Sequence, residues 1–288
     1  MKLAFSTVCC PTWDFETLVA RAGELGYQGV ELRASPNESA LTASNVFLTE
    51  PGKIERLFAA SGVQVCCLAS SVEFAQSAPA DARAAQQVKT FIDTAVNLNC
   101  PMVKMLDTRL KTGHSRATAA IAMAEWLLPL GDYAADRNVT ILVENARAFR
   151  TAREMWVMLE RLAHPSVAVA WDPVAAAQAG ESPSVSVPTL NSRIQYVQMH
   201  DAKLTRGGFA DCALGQGDIP LEKLVTRLRG IGYAGWLTVV GDASKLPALI
   251  EPAEFLRGAA EKLARWTRPA IRASAAPKAP AKASAGSK

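Results

Sequence analysis

The feature that most constrains this chain is an alternation of short β-branched runs with longer amphipathic ones, sustained from the first residues to about residue 266. Residues 2–6 read as a strand, and 15–25 follow with apolar side chains at Phe15, Leu18, Val19, Ala22 and Leu25, a helical period. Gly26 ends that helix and Gly29 opens Val30-Glu31-Leu32. The unit recurs as helix 54–60 before strand 63–68, helix 82–98 before 102–106, and helix 117–136 before 139–143. A helix capped by Thr151 and running to Leu162 precedes strand 167–171. A strand at 194–197, a helix at 221–230, a strand at 236–240 and a helix at 252–266 complete the series. Links of two to six residues suit βα units, and unbroken alternation implies parallel strands. About eight strands are the number that closes a (β/α)8 TIM barrel, so one α/β barrel domain is expected over residues 1–271. An open doubly wound sheet is the rival. The first βα turn has no G-x-G-x-x-G, however, and Gly215-Gln216-Gly217-Asp218 comes late and does not directly follow a strand.

A length of 288 residues suits one barrel of about 250 residues as readily as two smaller domains, so the pattern decides. Charge says more. The chain carries 31 Lys and Arg against 27 Asp and Glu, and Arg272, Lys278, Lys282 and Lys288 account for the whole excess. The body is balanced, whereas a duplex-binding domain shows a basic surplus, so no nucleic-acid partner is expected. Residues 272–288, mostly Ala, Pro, Ser and Lys, have no large apolar side chain to bury and read as a disordered tail. No apolar run nears the roughly 20 residues that span a bilayer, and the first ten residues make no secretory h-region. A cytoplasmic protein without membrane contact is the expectation. Six cysteines fall as Cys9-Cys10, Cys66-Cys67, Cys100 and Cys212, without C-x-x-C spacing. Strand alternation would send each adjacent pair to opposite faces, which makes them packing residues rather than a disulfide or zinc site.

In a TIM barrel the chemistry sits at the C-terminal ends of the strands. There stand Glu31 and Arg33, Ser70 and Ser71, Lys104 and Asp107, Glu144 and Asn145, Asp172, Gln198 with His200 and Asp201, and Asp242. Apolar strands finishing on acids, amides and a histidine make a polar cup over a hydrophobic barrel. Glu144, Asp172 and Gln198 or His200 come from three successive strand ends. Such a set suits Mn2+, Mg2+, Co2+ or Zn2+, and the same acids would equally serve as helix caps and ion-pair partners.

These residues carry a resemblance. Gly29-Val30-Glu31-Leu32-Arg33, Ile141-Leu142-Val143-Glu144-Asn145, Trp171-Asp172-Pro173 and Tyr196-Val197-Gln198-Met199-His200-Asp201-Ala202-Lys203 are similar to motifs of the xylose-isomerase-like TIM-barrel superfamily. So are Gly215-Gln216-Gly217-Asp218-Ile219-Pro220-Leu221 and Gly232-Tyr233-Ala234-Gly235-Trp236-Leu237, and the similarity runs from residue 1 to about 268. The superfamily comprises sugar isomerases, ketose and sugar-phosphate epimerases, hydroxypyruvate isomerase, inosose dehydratases and isomerases, and apurinic-site endonucleases.

The resemblance implies a divalent metal, with Glu144 matching the first carboxylate ligand and Asp172 the second. Gln198 stands where most members carry His and hydroxypyruvate-isomerase-like members carry Gln. It also implies that the metal polarises a carbonyl and its neighbouring hydroxyl while a Glu removes the α-proton to give an enediolate. Two positions depart from the pattern. Val240 stands where a second, last-strand Glu is expected and can neither ligate nor move a proton, and Ala175 stands where epimerases often place His. Asp242, on the same face as Val240, would take over if the backbone bulges at Gly241. His200 shares the face of Gln198 and is a further acid, base, ligand or substrate contact.

Glu31, Lys104, Trp13 and Arg147 are the expected substrate contacts; Lys104 reads equally as an internal ion pair with Glu144 or Asp107. Trp13 and Trp171 are candidates for an apolar pocket wall, His114 for a lid residue, and His164, before a strand, for a structural role. The functional expectation is a metal-dependent isomerase or epimerase of a small ketose, sugar phosphate, hydroxy-keto acid or inosose, with Glu144, His200 and Asp242 as catalytic residues. One alternative is a degenerate barrel that binds a sugar-like ligand or supports a partner subunit without turnover; another is a metal-dependent lyase or dehydratase. The endonuclease branch needs several metals and more than the three histidines present. The expected partner is a small carbohydrate-like molecule, and a homo-oligomer is compatible with the sequence.

Overall fold

The computed structural model describes residues 1–33, 51–206, 208–241 and 251–268. Asp242 and the 272–288 tail therefore lie outside the described residues. The strands are β1 (Lys2–Ser6), β2 (Gly29–Arg33), β3 (Gln64–Ala69), β4 (Met102–Leu106), β5 (Thr140–Glu144), β6 (Val167–Trp171), β7 (Ile194–Met199), β8 (Asp201–Thr205), β9 (Gly208–Cys212) and β10 (Trp236–Val239). Eight of them form a closed barrel in the order β1-β10-β7-β6-β5-β4-β3-β2, every pairing parallel. The expected TIM barrel is what the chain forms. The helices are α1 (Phe15–Glu24), α2 (Pro51–Ser61), α3 (Ala78–Asn97), α4 (Arg116–Ala135), α5 (Ala152–Leu162), α6 (Pro173–Gln178), α7 (Pro183–Leu190), α8 (Leu221–Gly230) and α9 (Pro252–Thr267). None of the described helices is long and apolar enough to cross a membrane.

Two apolar layers hold the barrel. The larger lies between strands and helices, where β-branched strand residues such as Val103, Ile141 and Val169 meet Leu127, Leu159 and Leu224 from the helices. The smaller fills the lower barrel interior with Ala4, Cys66, Cys67, Met102, Leu142, Ala168, Ala170, Tyr196 and Trp236. Small residues there leave room for the two large rings. Gly29 on β2 is one such position, because a Cβ there would stand 2.6 Å from the Trp236 ring.

Cys66 and Cys67 depart from the alternation expected of a regular strand. The β2 to β3 register steps from Val30 opposite Val65 to Glu31 opposite Cys67, a bulge that brings both cysteines into the interior cluster. Cys9 closes a 3-10 turn rather than a strand. All six cysteines are free thiols, and only Cys212 is not buried.

The interval between β6 and β7 holds two short helices, α6 and α7, absent from the sequence reading because each is too short to establish a period. Each has proline in its first turn, where the missing N–H costs nothing. The hairpin of β8 and β9 was likewise not foreseen. It starts at Asp201, directly after β7, and so stands at the C-terminal rim.

Candidate functional site

Strand alternation aims Lys104 of β4, Glu144 of β5 and Gln198 of β7 into the upper barrel, opposite Glu31 of β2. The Lys104 ammonium lies 2.9 Å from Glu31 Oε2, 3.2 Å from Glu144 Oε2 and 3.1 Å from Gln198 Oε1. Tyr196, one turn of the pleat below Gln198, donates its hydroxyl to Glu31 Oε2 at 2.6 Å and presents its ring 5.4 Å from the ammonium. Side-chain exposure is 0% for Glu31 and 1% for Lys104, against 8% for Glu144. Burial opposes charge on both Glu31 and Lys104, but their mutual attraction overrides it. The Lys104 ammonium, helped by Arg33, holds Glu31 below the usual carboxylate range, and Glu31 and Glu144 raise Lys104.

Above this cluster His200 Nε2 sits 2.8 Å from Asp172 Oδ1. The same oxygen N-caps α6 by accepting from the Val174 and Ala175 amides at 2.8 and 3.2 Å. Asn145 holds the Asp172 backbone in place, donating Nδ2 to its carbonyl at 3.0 Å. Burial alone would lower the histidine, yet the Asp172 carboxylate raises it, and the imidazole lowers Asp172 in turn. Side-chain exposures of 22% and 14% leave the pair reachable from solvent.

Asp107, just past β4, is fully enclosed. Its Oδ2 accepts from the Phe149 amide at 2.7 Å while Oδ1 has no hydrogen-bond partner among the described residues. Burial pushes its pKa up to about 7, against the lowering effect of nearby amides. Glu144 Oε2, Gln198 Nε2 and Glu31 Oε1 are likewise buried without a hydrogen bond, the Glu144 oxygen being at ion-pair distance from Lys104 but off the hydrogen-bond angle.

The Gly-rich block after the hairpin is built round Asp201. Its Oδ2 accepts from the amides of Gly215 and Gly217 at 2.8 and 3.0 Å, and its Oδ1 from Ala202 at 2.9 Å. A Cβ on Gly217 would meet Asp201 Oδ1 at 2.1 Å. Those amides are committed to a side chain of the protein itself, so this loop cradles a carboxylate that anchors the hairpin beside His200.

The other expected contacts are spread out. Glu31 and Lys104, expected at the substrate, are enclosed and act on the cup through Glu144 and Gln198. Trp13 is half-buried at the rim, edge-on to Phe5 at 6.3 Å. Arg147 is partly exposed, 3.7 Å from Glu73. Trp171 points outward into the strand-helix layer and not into a pocket, because Ala170 takes the inward face. His114 is an exposed loop residue bonded to Gln76 at 2.9 Å, and His164 pairs with Asp132 at 3.2 Å, packed on Gly131. Tyr196, Arg33 and Asp107 belong to the polar cluster but were not singled out as functional. Alternation from Gln198 places Tyr196 inside, and an enclosed tyrosine hydroxyl needs a partner; that signal was available.

The expected ligands do not fit a divalent metal as they are arranged. Glu144 and Gln198 both face an ammonium, and the Asp172 Oδ1 already takes one imidazole and two amides. Among the described residues, no three His, Cys, Asp or Glu side chains converge on one point.

A sequence-family profile described as xylose isomerase-like TIM barrel matches residues 19–268. No curated protein matches the sequence. Among solved structures, the chain is similar to the IOLI protein with a bound zinc atom, at 15% identity and a TM-score of 0.78 over 93% of this chain and 98% of that one. It is similar to the probable 3-DHS dehydratase AsbF from Bacillus anthracis, at 15% identity and a TM-score of 0.73 over 92% and 99%. The 3-keto-D-glucoside 4-epimerase YcjR from E. coli gives 14% identity and a TM-score of 0.72 over 92% and 98%. At these identities the likeness is one of fold.

Proposed function

Because this chain belongs to the xylose isomerase-like TIM barrel family, we propose that it is an isomerase or epimerase of a small carbohydrate-like carbonyl compound, working by proton transfer between substrate carbon and side chains of the cup. The observation that carries this reading is the position of Glu144, the least enclosed carboxylate of the barrel cluster, beneath a solvent-reachable His200–Asp172 pair in which the carboxylate raises the imidazole's pKa. Glu144 removes the proton α to the carbonyl. His200 donates a proton to the carbonyl oxygen from Nδ1, which makes no hydrogen bond to a described residue while Nε2 is fixed on Asp172. The enediol then collapses: for isomerisation the Glu144 carboxyl returns its proton to the neighbouring carbon and His200 takes one from the hydroxyl that becomes the new carbonyl, and for epimerisation a water on the opposite face protonates the α-carbon while Glu144 gives its proton to solvent and His200 recovers its own. Arg147 and Trp13 at the rim would contact the rest of the substrate, and Asp242, two residues past Val240 in the sequence, is a second candidate base.

Proton NMR in D2O with a panel of ketoses, inososes and hydroxy-keto acids tests it. Deuterium should enter the α-carbon of one substrate, and Glu144→Gln should slow that exchange by roughly 100-fold or more. Loss of a β-hydroxyl after the same abstraction would mark a dehydratase instead, the activity named for one structural neighbour. A second reading is a barrel that binds a sugar-like ligand without turnover. Val240, which supplies no second carboxylate, favours it. Saturable binding with no solvent exchange would establish that reading and overturn the first.

A further inference from the structure

We propose that the resident cation of this barrel is the Lys104 ammonium, which takes the place of a divalent metal, so that the cup is complete without one. This stands independently of the reaction assigned above.

An ammonium has three N–H donors and no acceptor. Lys104 Nζ donates a hydrogen bond to Gln198 Oε1 at 3.1 Å and stands at ion-pair distance from Glu31 Oε2 and Glu144 Oε2, at 2.9 and 3.2 Å, and all four side chains are buried. Two of those oxygens belong to side chains that would otherwise be offered to a metal. They come from three strands across the barrel, so one lysine reaching in from β4 does the crosslinking that a bound ion would do.

Charge gives an independent reason. The Glu31 and Glu144 carboxylates face two cations, Lys104 and Arg33. The set is already neutral. A divalent ion would add two charges to a balanced, enclosed cluster, where uncompensated charge is costly. A metal-binding cup needs surplus carboxylate, and the position that would provide it is Val240, two residues past Thr238 on the inward face of β10. A lysine inside the ligand set and a valine in place of an acid are complementary: one adds a positive charge, the other withholds a negative one.

The test is metal content by elemental analysis of the full chain, incubated with Mn2+, Co2+ or Zn2+ and freed of unbound ion, together with the melting temperature with and without EDTA. Wild type, Val240→Glu and the double variant Lys104→Met/Val240→Glu are compared. The double variant removes the ammonium and adds a carboxylate, leaving two unbalanced negative charges for a divalent ion to meet. The wild type and Val240→Glu are expected to carry no stoichiometric metal and to melt unchanged in EDTA, and the double variant to gain close to one ion per chain and lose melting temperature in EDTA. The proposal is overturned by close to one ion per wild-type chain, by the same in Val240→Glu with Lys104 intact, or by a folded double variant that stays empty. If the double variant does not fold, the first two proteins decide the matter alone.

Discussion

An ammonium enclosed between carboxylates is worth most in what its removal leaves behind. Lys104→Met should destabilise the protein by about 3–5 kcal/mol in urea unfolding, because the buried Glu31 and Glu144 carboxylates would then have only Arg33 between them. Adding Glu31→Gln removes the stranded charge, and the double variant should recover much of the loss. A double-mutant cycle reads this coupling, and purely additive losses would show that the two side chains are not energetically linked. The same reasoning separates Lys104 from Arg147, which is partly exposed and only 3.7 Å from Glu73; Arg147→Ala should change stability by less than about 1 kcal/mol.

Hairpin and Gly-rich loop form one element in practice, tied by Asp201. Gly217→Ala would drive a Cβ into Asp201 Oδ1 and the Ala202 carbonyl, and should cost about 1–3 kcal/mol in thermal or chemical unfolding. It should also loosen His200, which an increased hydrogen-exchange rate across Asp201–Thr205 would report. Elements of this kind differ in how well their sequence announces them. The capping box of Thr151 and Glu154 marks the start of α5, and its span matches the sequence reading. The two short helices after Asp172 carry too few residues for a period, and the hairpin is polar and exposed. The site divides in the same way. Strand ends named its acids, amides and histidine, because alternation and the barrel rule are local. Which of them pair depends on distances across the barrel and on the register step in β3, neither of which a linear pattern encodes. Lys104 shows the difference: an ion pair with Glu144 was one of the readings open in sequence, whereas its contact with Glu31 crosses to a strand far along the chain.

Across the whole molecule, enclosed ionisable groups set the pH dependence of stability. Asp107 has its pKa raised to about 7 from an ordinary 3.8, so the folded state binds more protons than the unfolded one between those values. Its contribution is therefore greatest below about pH 4 and is lost as pH rises toward 7. Asp107→Asn should flatten that part of the stability curve, measured as melting temperature against pH, and an unchanged slope would show that Asp107 is ionised throughout. His200 acts above it: a histidine raised by Asp172 stabilises the fold below about 6.5 and ceases to do so as pH climbs past its folded value. The buried thiols open another window on the barrel as a unit. Five of the six are walled in, burial pushing Cys10 and Cys100 up to about 12, while Cys212 sits at the hairpin edge. A thiol reagent added to the native protein will thus count one sulfur at once and the other five only when the ring of strands comes apart. The molecule carries its own stopwatch, one that starts with the label on the hairpin and is read by the colour that develops as the barrel opens.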